Sequence, residues 1–420
     1  MDIKITPTVL SGEIDAISSK SDIHRALICA AFSDKPTRIF IHGDISDDVL
    51  STINCLKAMG AEITSESDNI FVIPVKKPGG EITLDCGESG STLRFILPVA
   101  AAAGDDFTVT GRGRLPDRPI LPLISLLREH GCIVSSDKIP CSSQGKLQGG
   151  KFETAGNISS QFISGLLMAF PLLSEGGTVV LTSPLMSSGY VDMTIGTMKK
   201  FGVTAQKSDG IYSVPGGQKY SSDGEYFAEG DWSNASFWLC AGALSGGIVC
   251  RGLDAFSFQK DRTVADIIEG AGAKISKDEN SLRVEPSDSL LPFEADASEI
   301  PDAVPCLSVL AAGAVGTSRI YNIERLRLKE SDRVMSVFKM MRSLGADIKL
   351  SENAFVINGK GRLSGGTVDS FNDHRIAMAA AVASVICENE VVIKDAGCVK
   401  KSYPGFFKDL NMLGGKTDVV

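Results

Sequence analysis

The sequence lacks the features of a membrane-bound, secreted or nucleic-acid-coating protein. Its longest nearly apolar runs, 303–315 and 376–387, fall short of the roughly 20 residues that span a bilayer, so they predict buried helices. Its N-terminus, MDIKITPTVLSGEID, has no basic region followed by an apolar core, and we expect no signal or transit peptide. The 42 lysines and arginines are outnumbered by 51 aspartates and glutamates, and the net charge of −9 argues against nucleic-acid and anionic-membrane partners.

Cysteine and histidine are not arranged as metal ligands. The ten cysteines are scattered, without a C-x-x-C pair or a nearby histidine. This distribution predicts reduced, packed thiols in a cytoplasmic protein, and no metal site. The rest of the composition, 43% hydrophobic and 22% charged residues, is ordinary for a globular protein. A length of 420 residues is enough for two or three domains.

One short pattern occurs six times along the chain. Its first copy, LKAMGAEI at 56–63, combines the end of an amphipathic helix, a glycine and the start of a strand. Glycine suits the residue after a helix because it adopts the left-handed conformation without steric cost. The six glycines, spaced about 70 residues apart, are Gly60, Gly131, Gly202, Gly272, Gly345 and Gly414. Because this period is too long for a solenoid repeat, it predicts six small subdomains.

Each unit is predicted to contain two helices, the second of which ends at the repeat glycine. The predicted helices are 22–32, 47–59, 90–103, 118–130, 160–173, 190–201, 232–245, 261–271, 302–314, 330–344, 373–387 and 402–413. Short β-branched runs predict strands at 38–41, 70–73, 107–110, 178–181 and 391–393. The unit is therefore β-α-β-α-β-β, an α/β arrangement.

Three such units could enclose their helices, which predicts two lobes of three units each. A change of composition at GEYFAEGD, 224–231, marks the joint between them. We expect the N-terminal strand to cross into the C-terminal lobe. The predicted domains are a discontinuous lobe of 1–18 plus 231–420, and a second lobe of 19–230.

Basic residues collect at predicted helix starts, where they are not expected. A helix N-terminus carries free N–H donors and a partial positive charge, so it favours anions and disfavours cations. Seven cations nevertheless lie in or just before first turns: Lys20, Arg25, Arg94, Arg118, Lys329, Arg333 and Arg375. In an acidic protein this placement predicts a cavity that holds several negative charges.

Each motif on its own also has an ordinary structural interpretation. Ser159-Ser160-Gln161 is typical of a helix N-cap, and Lys329–Arg333 could be a solvated, internally paired turn. Asp302 could cap a helix, His24 could be a packing residue, and His374 could pair with Asp373. The segment 87–91, Gly-Glu-Ser-Gly-Ser, lacks the Gly-Lys-Thr ending of a P-loop, which argues against nucleotide binding. The recurrence of such motifs at equivalent repeat positions favours function.

Taken in order, these motifs resemble those of the 5-enolpyruvylshikimate-3-phosphate synthases. The resemblance runs from about Ile3 to Phe407. Its motifs are Lys20-Ser21 with Arg25, Gly90–Arg94, Asp117–Ile120, Ser159–Phe162, Ile300–Ala303, Lys329–Arg333, Asn372–Arg375 and Lys401–Pro404. The family fold implied is six β-α-β-α-β-β units in two lobes, with the active site in the interlobe cleft and lobes that close on substrate.

The resemblance implies transfer of the enolpyruvyl group of phosphoenolpyruvate to the 5-hydroxyl of shikimate 3-phosphate, in aromatic amino-acid biosynthesis. The residues implied for shikimate 3-phosphate are Lys20, Ser21, Arg25, Ser159, Ser160, Gln161, Ser187, Tyr190, Asp302 and Lys329. Those implied for phosphoenolpyruvate are Lys20, Gly90, Arg118, Gln161, Arg333, Arg375 and Lys401. Asp302 is the expected base on the 5-hydroxyl, and Glu330, assisted by Lys20, is expected to move the proton at the methylene carbon. We expect no cofactor or metal, a monomer, and inhibition by glyphosate.

The sequence departs from the family pattern at three places. Glu88-Ser89-Gly90-Ser91 stands where relatives often have Asn-Ala-Gly-Thr, so Gly90 is kept but contacts from position 88 are not carried over. Arg325 replaces an asparagine that contacts the sugar phosphate in many relatives, and Ser19 replaces a glycine.

The sequence argues against three other functions. The sister transferase acting on UDP-N-acetylglucosamine usually has a reactive cysteine at the position that Gly113 occupies here. An RNA 3′-phosphate cyclase would need a histidine nucleophile and a basic surface, and the sequence shows neither. A non-catalytic repeat scaffold would account for the period but not for the cations at the helix starts.

Overall fold

The computed structural model describes residues 1–76, 82–104 and 106–420. In this part of the chain, none of the helices is long and apolar enough to cross a membrane. The α-helices are α1 (Lys20–Ala31), α2 (Asp47–Ala58), α3 (Gly90–Ala103), α4 (Leu121–Glu129), α5 (Ser160–Ala169), α6 (Ser188–Lys200), α7 (Trp232–Leu244), α8 (Thr263–Gly270), α9 (Val304–Gly313), α10 (Arg333–Ser343), α11 (His374–Ala383) and α12 (Phe406–Met412).

The strands are short, mostly three to five residues. They are β1 (Ile3–Thr6), β2 (Gly12–Asp15), β3 (Thr37–Phe40), β4 (Glu62–Ser65), β5 (Asn69–Ile73), β6 (Ile82–Asp85), β7 (Phe107–Thr110), β8 (Ile133–Val134), β9 (Cys141–Gln144), β10 (Gly150–Thr154), β11 (Gly176–Leu181), β12 (Gln206–Ser208), β13 (Ile211–Pro215), β14 (Glu225–Phe227), β15 (Ile248–Arg251), β16 (Lys274–Lys277), β17 (Ser281–Glu285), β18 (Glu294–Asp296), β19 (Val315–Tyr321), β20 (Asp347–Ser351), β21 (Ala354–Lys360), β22 (Gly366–Asp369), β23 (Val391–Lys394) and β24 (Lys416–Val419).

The described strands form four-stranded sheets that share one topology. A parallel pair begins each sheet, and two antiparallel pairings complete it, as in β10–β11–β13–β12. The other orders are β14–β3–β5–β4, β6–β7–β9–β8, β2–β15–β17–β16, β18–β19–β21–β20 and β22–β23–β1–β24. Three sheets are completed by a distant strand, because β14, β2 and β1 pair far from their own place in the chain. The predicted six-unit α/β architecture is confirmed.

The chain divides into two compact units. One consists of Met1–Ile17 and Glu229–Val420, and the other of Ser18–Ala228. We call them the discontinuous unit and the continuous unit. Each has its own apolar core, with Trp238 and Phe406 stacked in the first and Phe152 against Phe170 in the second. A fully buried side chain of this size contributes about 1.5–3 kcal/mol to stability.

The two helices of each repeat differ in burial. The first helices are buried on nearly every side, and every residue of α11 is buried. In the continuous unit two of them touch closely, since a Cβ on Gly165 of α5 would lie 2.2 Å from the carbonyl oxygen of Arg94 in α3. The second helices are amphipathic and bury one face only, as α2 and α8 do. The first helices therefore form the interior of each unit.

The repeat glycines have the predicted conformation. All six are left-handed, with φ of 101° at Gly60, 95° at Gly131, 76° at Gly202, 95° at Gly272, 87° at Gly345 and 101° at Gly414. At Gly60 the turn is closed by hydrogen bonds from Gly60 N–H to the carbonyl oxygen of Lys57 (2.9 Å) and from Ala61 N–H to that of Leu56 (3.0 Å). These contacts satisfy carbonyl groups that the end of a helix leaves free.

Several predicted helix starts differ from the observed ones, and the helix predicted from 402 begins only at Phe406. Two of the errors lie beside the candidate site residues Arg118 and Glu330. The helix predicted from 118 begins at Leu121, because Arg118 precedes Pro119 and a residue before proline is disfavoured in the helical region. Arg118 is extended, with φ −78° and ψ 142°. The helix predicted from 330 begins at Arg333, because the Asp332 carboxylate accepts a hydrogen bond from Met335 N–H (3.2 Å) and caps the helix there.

Candidate active site

In the continuous unit, the starts of three buried helices are capped by serine hydroxyls. Ser19 accepts from Asp22 N–H at 3.4 Å, Ser89 from Thr92 N–H at 3.1 Å, and Ser159 from Gln161 N–H at 3.3 Å. The N-cap interpretation of Ser159 is thus correct.

The half-buried residues of these otherwise buried helices lie mostly in their first turns. In α1 they are Lys20 and Ser21, in α3 Ser91 (with Ala103 at the other end), and in α5 Gln161, while Ser160 is buried. Three of these first-turn residues, Lys20, Ser21 and Gln161, are predicted substrate ligands. Solvent therefore reaches these helices at the ends where the predicted ligands stand.

Two arginines converge on Gly90. A Cβ at this glycine would lie 2.6 Å from Nη1 of Arg118 and 2.7 Å from Nη1 of Arg94, closer than real contacts allow. Arg94 donates to Oε1 of Gln161 at 2.7 Å and to the carbonyl oxygen of Pro119 at 3.2 Å. Gln161 in turn donates from Nε2 to Ser91 Oγ at 2.8 Å. Two like charges are thus held side by side against a bare backbone, an arrangement suited to a phosphate or carboxylate.

Arg25 is buried among neutral oxygen atoms. It donates to Thr194 Oγ1 (2.7 Å), Ser164 Oγ (3.4 Å) and the carbonyl oxygens of Ser21 (2.6 Å) and Tyr190 (2.9 Å). Burial lowers the pKa of this guanidinium to about 10. Arg25 therefore fixes the main chain of two other predicted ligands, Ser21 and Tyr190.

Lys20 has an acidic partner that the sequence did not identify. Its Nζ lies 2.6 Å from Oδ2 of Asp48, and both side chains are largely buried. Asp48 lies in the first turn of α2, where acids are common as dipole partners, so no sequence signal singled it out. We call Lys20, Arg25, Arg94 and Arg118 the cation cluster.

Ser187, another predicted ligand, stands in a strained turn. It immediately precedes α6 and is left-handed, with φ 57° and ψ 47°, although it is not glycine. Non-glycine residues in this region cost about 1–3 kcal/mol and tend to occur at functional sites. Its side chain is buried at this turn.

In the discontinuous unit, Arg333 is surrounded by carboxylates. Its Nη1 lies 2.5 Å from Oδ1 of Asp302, its Nη2 lies 2.6 Å from Oε2 of Glu330, and its Nε lies 2.8 Å from Oδ2 of Asp373. The Arg333 side chain is 1% exposed. Burial lowers its pKa but the three carboxylates more than offset this, so the pKa stands well above the usual value. Asp373 also caps α11, accepting from Arg375 N–H at 3.0 Å.

Asp302 lies among three cations. Its Oδ1 is 3.1 Å from Nζ of Lys329, 2.5 Å from Nη1 of Arg333 and 3.9 Å from Nε of Arg375. Burial raises the pKa of Asp302, but these cations outweigh burial and hold the pKa well below its usual range. The carboxylate is thus ionised at neutral pH. We call Asp302, Lys329, Glu330, Arg333, Asp373 and Arg375 the ion-pair cluster.

Two more features border this cluster. Lys401 donates from Nζ to the carbonyl oxygen of Asn372 at 2.8 Å, and Asn372 and Phe371 are both left-handed, with φ 54°. Asp261, which the sequence did not indicate, is buried, and desolvation followed by the charge of Asp302 raises its pKa to about 7. The structure therefore places Asp302, Lys329, Glu330, Arg333 and Arg375 together, with Lys401 anchored to the loop before α11.

The described residues include no group of three His, Cys, Asp or Glu side chains placed to hold a metal ion. All ten cysteines are buried and form no disulfide. Burial raises the pKa of the Cys29 and Cys250 thiols to about 12, so these groups stay protonated.

Comparison with known proteins gives one consistent result. A family model described as EPSP synthase (3-phosphoshikimate 1-carboxyvinyltransferase) matches residues 5–410. A 3-phosphoshikimate 1-carboxyvinyltransferase of Clostridium perfringens is 42% identical over 417 residues, which is 98% of each chain. One from Methanocorpusculum labreanum is 38% identical over 420 residues, 99% of each chain.

Solved structures show the same fold. The structure of EPSP synthase from Acinetobacter baumannii has a TM-score of 0.83 at 23% identity over 100% of both chains. That of the enolpyruvyl transferase NikO from Streptomyces tendae has a TM-score of 0.80 at 15% identity, over 99% of this chain and 98% of that one. From the family match and these relatives, the chain belongs to the EPSP synthase family.

Proposed function

We propose that this protein transfers the enolpyruvyl group of phosphoenolpyruvate to the 5-hydroxyl of shikimate 3-phosphate and releases phosphate. The observation that carries the proposal is the pair of guanidinium groups over Gly90, beside Gln161 and the start of α3. Both substrates carry a phosphate and a carboxylate, and guanidinium groups bind such oxyanions through two parallel hydrogen bonds. The same reaction is named for the relatives described above.

Seven residues are proposed to bind phosphoenolpyruvate. They are Lys20, Gly90, Arg118, Gln161, Arg333, Arg375 and Lys401. Because Gly90 has no side chain, both guanidinium groups lie close to its backbone at the start of α3, where an anion is favoured. Arg94 donates a hydrogen bond from Nη1 to Oε1 of Gln161 at 2.7 Å, and we therefore add Arg94 as a residue that positions Gln161.

The proposed ligands of shikimate 3-phosphate are Lys20, Ser21, Arg25, Ser159, Ser160, Gln161, Ser187, Tyr190, Asp302 and Lys329. The hydroxyl groups of this set suit the polar ring, and the cations suit its charged groups. Arg25 contributes by holding Ser21 and Tyr190 as well as by its charge.

The proposed chemistry is an addition followed by an elimination. Glu330, assisted by Lys20, protonates the methylene carbon of phosphoenolpyruvate, and the adjacent carbon becomes cationic. The 5-hydroxyl attacks that carbon while Asp302 takes its proton. One proton of the new methyl group then returns to Glu330 as the carbon–oxygen bond to phosphate breaks, which restores the double bond and releases phosphate. The ionised state of Asp302 fits the role of hydrogen-bond acceptor for the hydroxyl. No cofactor or metal enters these steps.

Glu88 bears on the choice of acceptor. A Cβ on Gly113 would lie 2.6 Å from Cδ of Glu88, and Gly113 is left-handed with φ 61°. A cysteine at this position, as in the UDP-N-acetylglucosamine transferases, would meet that carboxylate and adopt a disfavoured backbone conformation. This observation favours shikimate 3-phosphate as the acceptor. The cytoplasmic location and the monomeric state stay predictions.

Phosphate release by the purified protein tests the proposal. We expect release when phosphoenolpyruvate and shikimate 3-phosphate are both present, and none with phosphoenolpyruvate alone. Release with UDP-N-acetylglucosamine as the acceptor, or no release with either acceptor, would overturn the assignment.

A further inference from the structure

His24 is a buried histidine that the proposed mechanism does not use. It lies in α1, one turn after Lys20 and next to Arg25, and it is 0% exposed. Its ring meets the Phe95 ring edge-on, with centroids 6.3 Å apart. Its Nδ1 lies 2.7 Å from Thr52 Oγ1, whereas its Nε2 is buried and has no hydrogen-bond partner within the described residues.

The unpartnered Nε2 determines the tautomer. An N–H group left without an acceptor in the interior is costly and rare, whereas a bare ring nitrogen leaves only a lone pair unsatisfied. The proton therefore belongs on Nδ1, which donates to Thr52 Oγ1. Burial, and then the charges of Lys20 and Arg25, lower the pKa of His24 well below its usual value, so the ring is neutral.

The hydrogen bond from His24 continues through two threonines. Thr52 Oγ1 lies 2.7 Å from Thr92 Oγ1, and Thr92 Oγ1 lies 3.2 Å from the carbonyl oxygen of Asp48 and 2.8 Å from Ser89 Oγ. With Nδ1–H as the first donor, Thr52 donates to Thr92, and Thr92 donates onward to one of these two oxygens. The chain thus runs from α1 through α2 to α3, and its acceptors are the first turn of α2 and the N-cap of α3.

The ion pair of Lys20 closes this chain into a ring. Asp48, whose carbonyl oxygen accepts from Thr92, also holds the Lys20 ammonium at 2.6 Å through its carboxylate. Lys20 and His24 are four residues apart, so they lie on the same side of α1. Ser89, the other acceptor, directly precedes Gly90. The ring therefore connects α1, which carries Lys20 and Ser21, through the first turn of α2 to the start of α3, which carries Gly90.

We propose that His24 is a positioning residue for the transfer reaction. It acts through Thr52, Thr92 and Asp48 and keeps Lys20 and Gly90 at a fixed distance from each other. The inference rests on the proposed function. A neutral donor is required because a charged imidazolium would repel the Lys20 ammonium one turn away. Leucine could fill the same space against Phe95, but it would leave Thr52 without its donor.

Steady-state kinetics of four variants test this role. Because displacement of a binding group by about 1 Å costs up to about 100-fold, we expect His24→Leu to lower kcat/KM by about 10- to 100-fold. Since Lys20 is a proposed ligand of both substrates, KM should rise for both. His24→Asn, which keeps a polar side chain that can donate, should recover most of this loss. Thr52→Val keeps the volume of the side chain but removes its hydroxyl from the hydrogen-bond chain, so it should cause a similar loss of kcat/KM. The double variant His24→Leu/Thr52→Val should lose little more than either single variant.

Unchanged kinetics in His24→Leu and Thr52→Val, failure of asparagine to rescue, or additive losses in the double variant would each overturn the proposal. If His24→Leu does not fold, the kcat/KM of Thr52→Val decides whether the hydrogen-bond chain contributes to activity. A readout independent of activity is the ¹⁵N NMR spectrum of histidine-labelled protein, with His24 assigned by its absence in His24→Asn. We expect the neutral Nδ1–H tautomer at pH 7, and the Nε2–H tautomer or an imidazolium would contradict the chain of hydrogen bonds. A wild-type protein that releases no phosphate would refute the function instead, and leave the NMR result to decide on His24.

Discussion

The cation cluster and the ion-pair cluster use similar residues but balance their charge differently. In the continuous unit, the hydrogen bonds of Arg25 go to neutral hydroxyl and carbonyl oxygens, and Arg94 donates to an amide and a carbonyl. In the discontinuous unit, one guanidinium group, that of Arg333, contacts three carboxylates, those of Asp302, Glu330 and Asp373. Three carboxylates there offset the three cations Lys329, Arg333 and Arg375.

The difference indicates a division of labour. Arg25 and Arg94 donate hydrogen bonds to neutral oxygens, which do not cancel the positive charge of these guanidinium groups, so both are suited to binding anions. In the ion-pair cluster the charges already neutralise one another, and the neighbouring cations keep Asp302 ionised. This cluster therefore offers an ionised carboxylate, that of Asp302, as an acceptor for a proton. The following predictions test that division.

Asp302→Asn should have the largest effect on activity. Removal of a group that accepts a proton in the reaction typically costs 10²- to 10⁴-fold, and we expect kcat to fall by about that factor. Asparagine keeps the size of the side chain but removes its charge. The rate of phosphate release at saturating substrates measures the effect. A variant that retains more than a tenth of the wild-type kcat would contradict a proton-accepting role.

Arg333→Met should have the largest effect on stability. It leaves three carboxylates of the ion-pair cluster without their shared partner, and breaking a buried pair costs about 3–5 kcal/mol. The free energy of unfolding, from urea denaturation, measures the loss. Arg327→Met is the matched control, because the Arg327–Asp332 pair is half exposed and worth about 0–1 kcal/mol. Equal losses in the two variants would show that Arg333 is not held by buried charge.

Gly90→Ala should weaken binding at the cation cluster. The new methyl group would lie 2.6 Å and 2.7 Å from two guanidinium nitrogens, so Arg94 or Arg118 must move. Such overpacking costs about 1–3 kcal/mol, and we expect KM for phosphoenolpyruvate to rise. We also expect glyphosate to compete with phosphoenolpyruvate and to lose more affinity than the substrate does.

Gly270→Ala is the control for this substitution. A Cβ on Gly270, near the end of α8, would meet no atom within 4 Å. It should leave both KM and glyphosate inhibition unchanged. Equal inhibition of the wild type and Gly90→Ala would exclude Gly90 from the inhibitor's site.

Arg25→Lys should destabilise the protein less than Arg333→Lys does. The acceptors around Arg25 are neutral, so the loss of several hydrogen bonds from a retained cation should cost about 1–2 kcal/mol. The urea midpoint measures this change, and Arg333→Lys provides the comparison. The contrast between the clusters fails if Arg25→Lys is as destabilising as Arg333→Lys.

The repeat architecture could be predicted from the sequence because its signals are local. A glycine after each second helix marks a left-handed turn, and all six were identified from their spacing. The helix starts at Leu121 and Arg333 were not predicted, because each depends on a neighbour, Pro119 in one case and the Asp332 cap in the other. Element boundaries of this kind are determined by capping rather than by periodicity.

The candidate residues were found from the sequence, but their partners were not. Basic residues at helix starts are visible because they oppose the helix dipole. Asp48, Thr52 and Asp261 gave no such signal, since acids and threonines are common in first turns and in helix interiors. Only the packing of α1 against α2 brings Asp48 to Lys20, and only the sheet topology brings the Asp373 segment beside Arg333.

The transfer reaction run in ²H₂O tests the central claim most directly. If Glu330 protonates the methylene carbon and a proton is later lost from the resulting methyl group, solvent deuterium must enter the enolpyruvyl methylene of the product. We expect the corresponding ¹H NMR signal to be smaller than that of product formed in ¹H₂O, because a CH₂D group that loses one proton keeps the other. Product that forms at the normal rate and carries no deuterium would contradict addition and elimination through that carbon.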